Sequence, residues 1–166
     1  ENFSNGALNR LAAEGKTVIF IRDDNGILAL AAMKDTVREE AKKAVSALKE
    51  HGIHVVMLTG DNEHTANVIA KEAGVNEYVA ECLPETKVEY IKKYNKQYEQ
   101  VGMVGDGIND APALATASVG IAMGDGTDVA LETADIVLMK NNLTKIEYAI
   151  RMSRKMQRIV KQNMFF

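Results

Sequence analysis

From Thr36 onward, short apolar runs alternate with longer stretches of helical spacing, and this alternation constrains the fold more than any other feature of the chain. Val37, Ala41, Ala44, Val45 and Leu48 recur at helical spacing and stop at Gly52; His54–Leu58 is then a short apolar strand. Asn62–Ala73 reads as a helix ending at Gly74, and Tyr78–Ala80 as a brief strand. Pro84 suits the first turn of a helix running to about Glu99. The alternation continues through strand Val101–Val104, helix Asp110–Ala117, strand Val119–Met123, helix Asp128–Thr133, strand Ile136–Met139 and a closing helix from Leu143 to Asn163. Strands this short, separated by helices, require parallel connections with both sheet faces covered. The expected fold class is α/β, a Rossmann-like three-layer α/β/α sandwich.

Two segments stand outside this pattern. Thr17–Arg22 and Ile27–Met33 flank Asp23-Asp24-Asn25-Gly26, and Asn-Gly supplies the backbone angles of a tight hairpin turn. Gly6–Glu14 before the hairpin reads as a short helix. At the other end, residues 140–166 carry seven Lys and Arg against one acid, a local charge of +6 set against −9 for the rest of the chain. Such a basic helix is either a solvated face or the cytoplasmic flank of a membrane helix. The total charge of −3 is too mild for nucleic acid to be a general partner. A single cysteine, Cys82, excludes an internal disulfide framework and fits a reducing compartment. With no apolar run of membrane-spanning length, the chain reads as a soluble domain on the cytosolic side.

The polar residues that matter follow strands. In open parallel sheets, ligands bind beyond the carboxyl ends of the strands. Thr59-Gly60-Asp61 follows His54–Leu58 and precedes a helix, an arrangement suited to an anionic oxygen; Thr59 or Asp61 acting as a helix cap is the plainer alternative. Gly105-Asp106-Gly107-Ile108-Asn109-Asp110 follows Val101–Val104. Asp106 and Asp110 are hard oxygen ligands of the kind Mg²⁺ takes one or two of, and the Asn109 amide suits a phosphoryl oxygen. Taken alone, this stretch is also an ordinary Asx-rich turn. Lys87, in the first turn of its helix, is either solvated or a point charge for a phosphoryl group.

Other polar and soft residues receive structural readings. His51, His54 and His64 occupy a helix end, a strand start and a helix start, which argues against convergence on a transition metal. Cys82 reads as a small core residue, and Met33, Met57, Met103, Met123 and Met139 as core packing. Tyr90, Tyr94 and Tyr98 form one face of an amphipathic helix.

Taken together, Thr59-Gly60-Asp61-Asn62 and Met103–Leu114 (MVGDGINDAPAL) resemble the signature motifs of P-type ATPases, members of the haloacid dehalogenase superfamily. Ala117–Met139 is similar to the heavy-metal-translocating branch, and Ala31–Asp35 resembles the hinge between nucleotide-binding and phosphorylation domains. The resemblance implies residues 1–33 as the end of a nucleotide-binding domain, 34–142 as a phosphorylation domain, and 143–166 as a basic helix leading toward a membrane helix. It implies Mg²⁺ at Asp106, supported by Asp110. Phosphoryl oxygens would fall to Thr59, Gly60, Asp61 and Asn109, with Lys87 stabilising an aspartyl phosphate. The parent pump would bind ATP, export a transition-metal cation, more in the manner of zinc, cadmium and cobalt pumps than copper pumps, and reside in the cell membrane with this segment on the cytoplasmic side. Gly126-Thr127-Asp128 is similar to a further family motif, with a structural role.

The family's nucleophile lies in an Asp-Lys-Thr-Gly-Thr motif, and no Asp-Lys dipeptide occurs in this chain. The chain alone is therefore expected to be inactive. The nucleophile's strand is central in this superfamily, between the strands ending at Thr59 and Gly105. Either those strands close up, or a further segment supplies the strand between them; the second is expected. Two alternatives differ in class: a haloacid dehalogenase-type soluble phosphatase, and a non-catalytic Mg²⁺- and phosphate-binding module.

Overall fold

The computed structural model describes residues 36–164, the backbone of two preceding strands, and helical positions at Gly6 and Arg10. The rest of the expected helix Gly6–Glu14, the turn residues Asp24 and Asn25, and Lys34 and Asp35 of the hinge-like segment lie outside the described residues. Strands β1 (Thr17–Asp23) and β2 (Gly26–Met33) pair antiparallel, with an irregularity at Ile21/Arg22, as the hairpin reading expects.

The remainder alternates helix and strand: α1 (Glu39–Glu50), β3 (Val56–Leu58), α2 (Glu63–Ala73), β4 (Glu77–Val79), α3 (Pro84–Gln97), β5 (Gly102–Gly105), α4 (Ala111–Thr116), β6 (Val119–Met123), α5 (Asp128–Thr133), β7 (Ile136–Leu138) and α6 (Thr144–Met164). β5, β6 and β7 form a parallel ladder in that order, and β3 pairs parallel with β4. Among the described residues no ladder joins β3 to β5, so the sheet does not close up between them.

The layers can be read from β6, where successive residues face opposite ways. Ala122 packs with Ile91 of α3, Met103 of β5, Ala113 and Leu114 of α4 and Ala130 of α5. Its neighbour Ile121 packs with Leu138 of β7 and Ile146 of α6, with Leu48 of α1 against the same cluster. Helices α3, α4 and α5 thus cover one face and α1 and α6 the other, which is the expected three-layer sandwich. A strand so enclosed needs apolar residues at every position, and Val-Gly-Ile-Ala-Met supplies them. The turn into β7 is fixed by Asp135, whose carboxylate accepts from the Gly120 backbone N–H (2.8 Å) while its own N–H donates to the Gly120 carbonyl (2.9 Å).

Some sequence expectations change at this level. Met139 is not a core residue: β7 ends at Leu138, which is buried, and Met139 is left 83% exposed on the edge side of the sheet. Met103 is buried as expected. Helix α6 carries its apolar contacts only near its start; every described residue from Arg151 onward is exposed. No described helix is long and apolar enough to cross a membrane.

Candidate functional site

The loops after β3 and β5 converge through α3. Thr59, Gly60 and Asp61 follow β3 directly. Asn62 caps α2, its side-chain oxygen accepting from the Thr65 N–H at 3.0 Å, so neither Thr59 nor Asp61 is used as the cap. The Thr59 hydroxyl instead donates to Asp61 Oδ2 (2.8 Å) and accepts from the Asp61 backbone N–H (3.1 Å). This closes a small loop on itself at the strand end. The loop is tied to the connection entering α3: Cys82 N–H donates to the Thr59 carbonyl (2.9 Å), and Glu81 N–H to the Asp61 carbonyl (2.8 Å). Glu81 adopts a left-handed conformation, φ 53°, to make this turn.

Helix α3 then carries Lys87 to the second loop. Its ammonium donates to Asp110 Oδ1 at 2.7 Å, and both side chains are largely buried, 15% and 13% exposed. The solvated reading of Lys87 is therefore excluded. Burial pushes the Cys82 thiol pKa up, and the Thr59 hydrogen bond and the nearby Lys87 charge only partly oppose it. Cys82 is a buried core residue, as expected, and not a reactive thiolate.

Asp110 closes a tight turn over Ile108–Asp110, its Oδ2 accepting weakly from the Gly107 N–H at 3.4 Å. This geometry depends on Gly105, because a Cβ there would sit 2.7 Å from the Asp110 Cβ. Asn109 is exposed on the same turn, and Asp106 is exposed ahead of it. Asp106 also lines a cavity of about 220 Å³ with Arg38, Glu40, Asp125 and Asn141, none of which the sequence singled out. Among the described residues, no hydrogen-bond donor reaches the Asp106 carboxylate.

This donor set fits Mg²⁺. A free carboxylate at Asp106 and a partly engaged one at Asp110 match an ion that takes one or two carboxylates and keeps several waters. No three His, Cys, Asp or Glu side chains among the described residues cluster as a transition-metal cage would require. His51 contacts Glu147 (3.0 Å), and His54 contacts Glu77 (3.4 Å) while stacking on Tyr98, so these two have separate structural partners; His64 is exposed at the start of α2. Tyr94 is buried and donates to Glu77 (2.9 Å), with Tyr90 beside it on the expected helix face; Tyr98 falls just past the end of α3, in extended backbone, and still packs against Tyr94.

A parallel α/β sandwich with a hydroxyl on the loop after β3, two aspartates on the loop after β5 and a lysine on α3 has the groups that a phosphoryl-handling hydrolase domain needs. The profile of the haloacid dehalogenase-like hydrolases matches residues 2–118, and the chain belongs to that family. It is 57% identical over 152 residues to the zinc-transporting ATPase of Bacillus subtilis (strain 168), covering 92% of this chain and 24% of that protein. It is 51% identical over 170 residues to the copper-exporting P-type ATPase of the same organism, covering 100% of this chain and 21% of that protein. The crystal structure of a zinc-transporting PIB-type ATPase in its E2.Pi state superposes with a TM-score of 0.89 at 43% identity, over 98% of this chain and 26% of that one. The chain thus spans about a quarter of the length of these relatives.

Proposed function

We propose that this chain is the phosphorylation domain of an ATP-driven heavy-metal export pump, holding the Mg²⁺- and phosphoryl-binding half of an aspartyl-phosphate site. The observation that carries the reading is the Lys87–Asp110 pair, which links the loop after β3 to the loop after β5 through α3. In this reading residues 1–33 end a nucleotide-binding domain, 34–142 form the phosphorylation domain, and 143–166 lead toward a membrane helix on the cytoplasmic side. Similarity to both zinc- and copper-transporting relatives supports a transition-metal cargo, with zinc favoured by the higher identity.

The roles follow from position and chemistry. Asp106, with Asp110 behind it, would hold Mg²⁺, which when bound draws charge from the phosphoryl oxygens. Thr59, the Gly60 backbone, Asp61 and the Asn109 amide would take the phosphoryl oxygens. Lys87 neutralises its charge as a point cation. The covalent step needs an aspartate carboxylate oxygen to attack the γ-phosphorus of ATP and expel ADP, and water then cleaves the acyl phosphate. That aspartate would belong to an Asp-Lys-Thr-Gly-Thr segment on a strand between β3 and β5, which share no ladder among the described residues.

The test is complementation. The chain is mixed with a separately expressed segment bearing that motif, together with Mg²⁺ and ATP radiolabelled at the γ-phosphate. Acid-stable label should appear on the segment and fall by ~10²-fold or more with Asp106→Asn or Lys87→Met. A folded complex that takes up no label sinks the proposal in favour of a non-catalytic Mg²⁺- and phosphate-binding module.

A further inference from the structure

The loop between β6 and α5, Gly124-Asp125-Gly126-Thr127, has no part in the reading above, yet it touches the backbone of Asp106. The Thr127 N–H donates to the Asp106 carbonyl at 2.8 Å. A Cβ on Gly126 would lie 2.8 Å from that same carbonyl oxygen, 3.2 Å from the Asp106 Cα and 2.8 Å from the Met123 carbonyl oxygen. The loop is itself anchored by three further backbone N–H groups. Gly124 N–H donates to the Leu138 carbonyl (2.8 Å), Asp125 N–H to the Asn141 side chain (3.1 Å), and Gly126 N–H to the Met123 carbonyl (2.9 Å). At its far end, the Thr127 hydroxyl caps α5. An exposed aspartate on a glycine-flanked turn has little else to fix its backbone.

We propose that Gly126 and Thr127 are positioning residues for the cation site, clamping the Asp106 backbone so that its carboxylate is preorganised for Mg²⁺. Groups behind a ligand commonly set metal affinity as strongly as some ligands do. The clamp works through a backbone N–H and the absence of a side chain, so it calls for glycine and a non-proline residue in sequence. It rests on the assignment of Mg²⁺ to Asp106, and the experiment separates the two claims.

Mn²⁺ serves as the probe, titrated into the 166-residue chain and read by electron paramagnetic resonance, with thermal unfolding recorded for every variant. Thr127 has φ −67° and ψ 151°, angles proline adopts readily, so Thr127→Pro needs no change of φ, and it replaces the donating N–H with a ring carbon that displaces the Asp106 carbonyl. Thr127→Ala loses the hydroxyl cap but keeps the N–H. Gly124→Ala is the structural control, because its Cβ would press on the Leu138 carbonyl oxygen at 2.6 Å and the Met139 backbone at 2.9 Å, where that of Gly126 would press on Asp106. Gly126→Ala and Thr127→Pro should each weaken Mn²⁺ binding by ~10-fold or more. Gly124→Ala and Thr127→Ala should lower the unfolding temperature yet leave the affinity within about twofold, the spread of an indirect effect.

Retained affinity in Gly126→Ala, alongside lost affinity in Asp106→Asn, overturns the clamp and leaves the metal assignment standing. Equal loss in Gly124→Ala and Gly126→Ala also overturns it, since the loop would then act only through general folding. Affinity unchanged by Asp106→Asn, or no Mn²⁺ binding by the unaltered chain, removes the metal assignment and the clamp with it.

Discussion

The two parts of the parallel sheet are built to different standards. In β6 the three middle residues, Gly120, Ile121 and Ala122, are all buried, with helices on both faces. In β3 and β4 every residue is only half-buried. The apolar content is similar, Val-Met-Leu in β3 against Val-Gly-Ile-Ala-Met in β6, so composition does not explain the difference. Neighbours do. β6 has a partner strand on each side, whereas among the described residues β3 is paired with β4 alone and shares no ladder with β5. Leu58 still packs against the core beside Met103 and Ile91, so the two parts share an interior while their backbones stay separate. Burial here reports what a strand is packed between more than what it is made of.

This contrast can be broken by mutation. The largest effect should come from Leu114→Ala, at a side chain 1% exposed in the α4–β6 core, with a loss of about 3 kcal/mol in urea unfolding. Lys87→Met comes next, at about 2 kcal/mol, because it strands the largely buried Asp110 carboxylate without its partner; full burial would cost more. Val56→Ala in β3 should cost only about 1 kcal/mol, since its side chain is half-exposed already. A Val56 loss equal to that of Leu114 would show that the two parts are equally consolidated.

The smallest effect is a pH dependence. The buried Cys82 thiol keeps its proton in the folded chain above the ordinary thiol pKa, where the unfolded chain releases it. The folded state then binds more protons, so stability falls as pH rises through that range. Cys82→Ala should remove this part of the alkaline loss, and an unchanged pH profile would show that the thiol is not protected.

Much of this arrangement was legible in the chain. Val119–Met123 and Asp128–Thr133 fall where their spacing places them, because both are bounded by clear turn residues. β3 begins at Val56 instead of His54, since His54 stacks on Tyr98 and the Val55 N–H is taken by the Asn76 side chain. Thr59, Lys87 and Asp110 were identifiable as chemistry-bearing residues at strand ends and a helix start. That Lys87 and Asp110 pair with each other was not, because the contact depends on how α3 lies across the sheet. Gly126 and Thr127 stood out only as a motif with a structural role; their hold on Asp106 was not legible, being made between backbone atoms. Met139 misled because an apolar residue after an apolar strand looks like its continuation.

The central claim is that β3 and β5 are the two banks of a site completed by a strand carrying the nucleophile. Amide hydrogen exchange, measured on the chain alone and with the Asp-Lys-Thr-Gly-Thr segment added, tests it most directly. The account predicts that in the chain alone the amides of Val56–Leu58 and Gly102–Gly105 facing the gap exchange quickly, while those bonded within β3–β4 and β5–β6 are slow. Adding the segment should slow the gap-facing amides on both strands together. Gap-facing amides already slow in the chain alone, or unchanged when a bound segment is present, would contradict it.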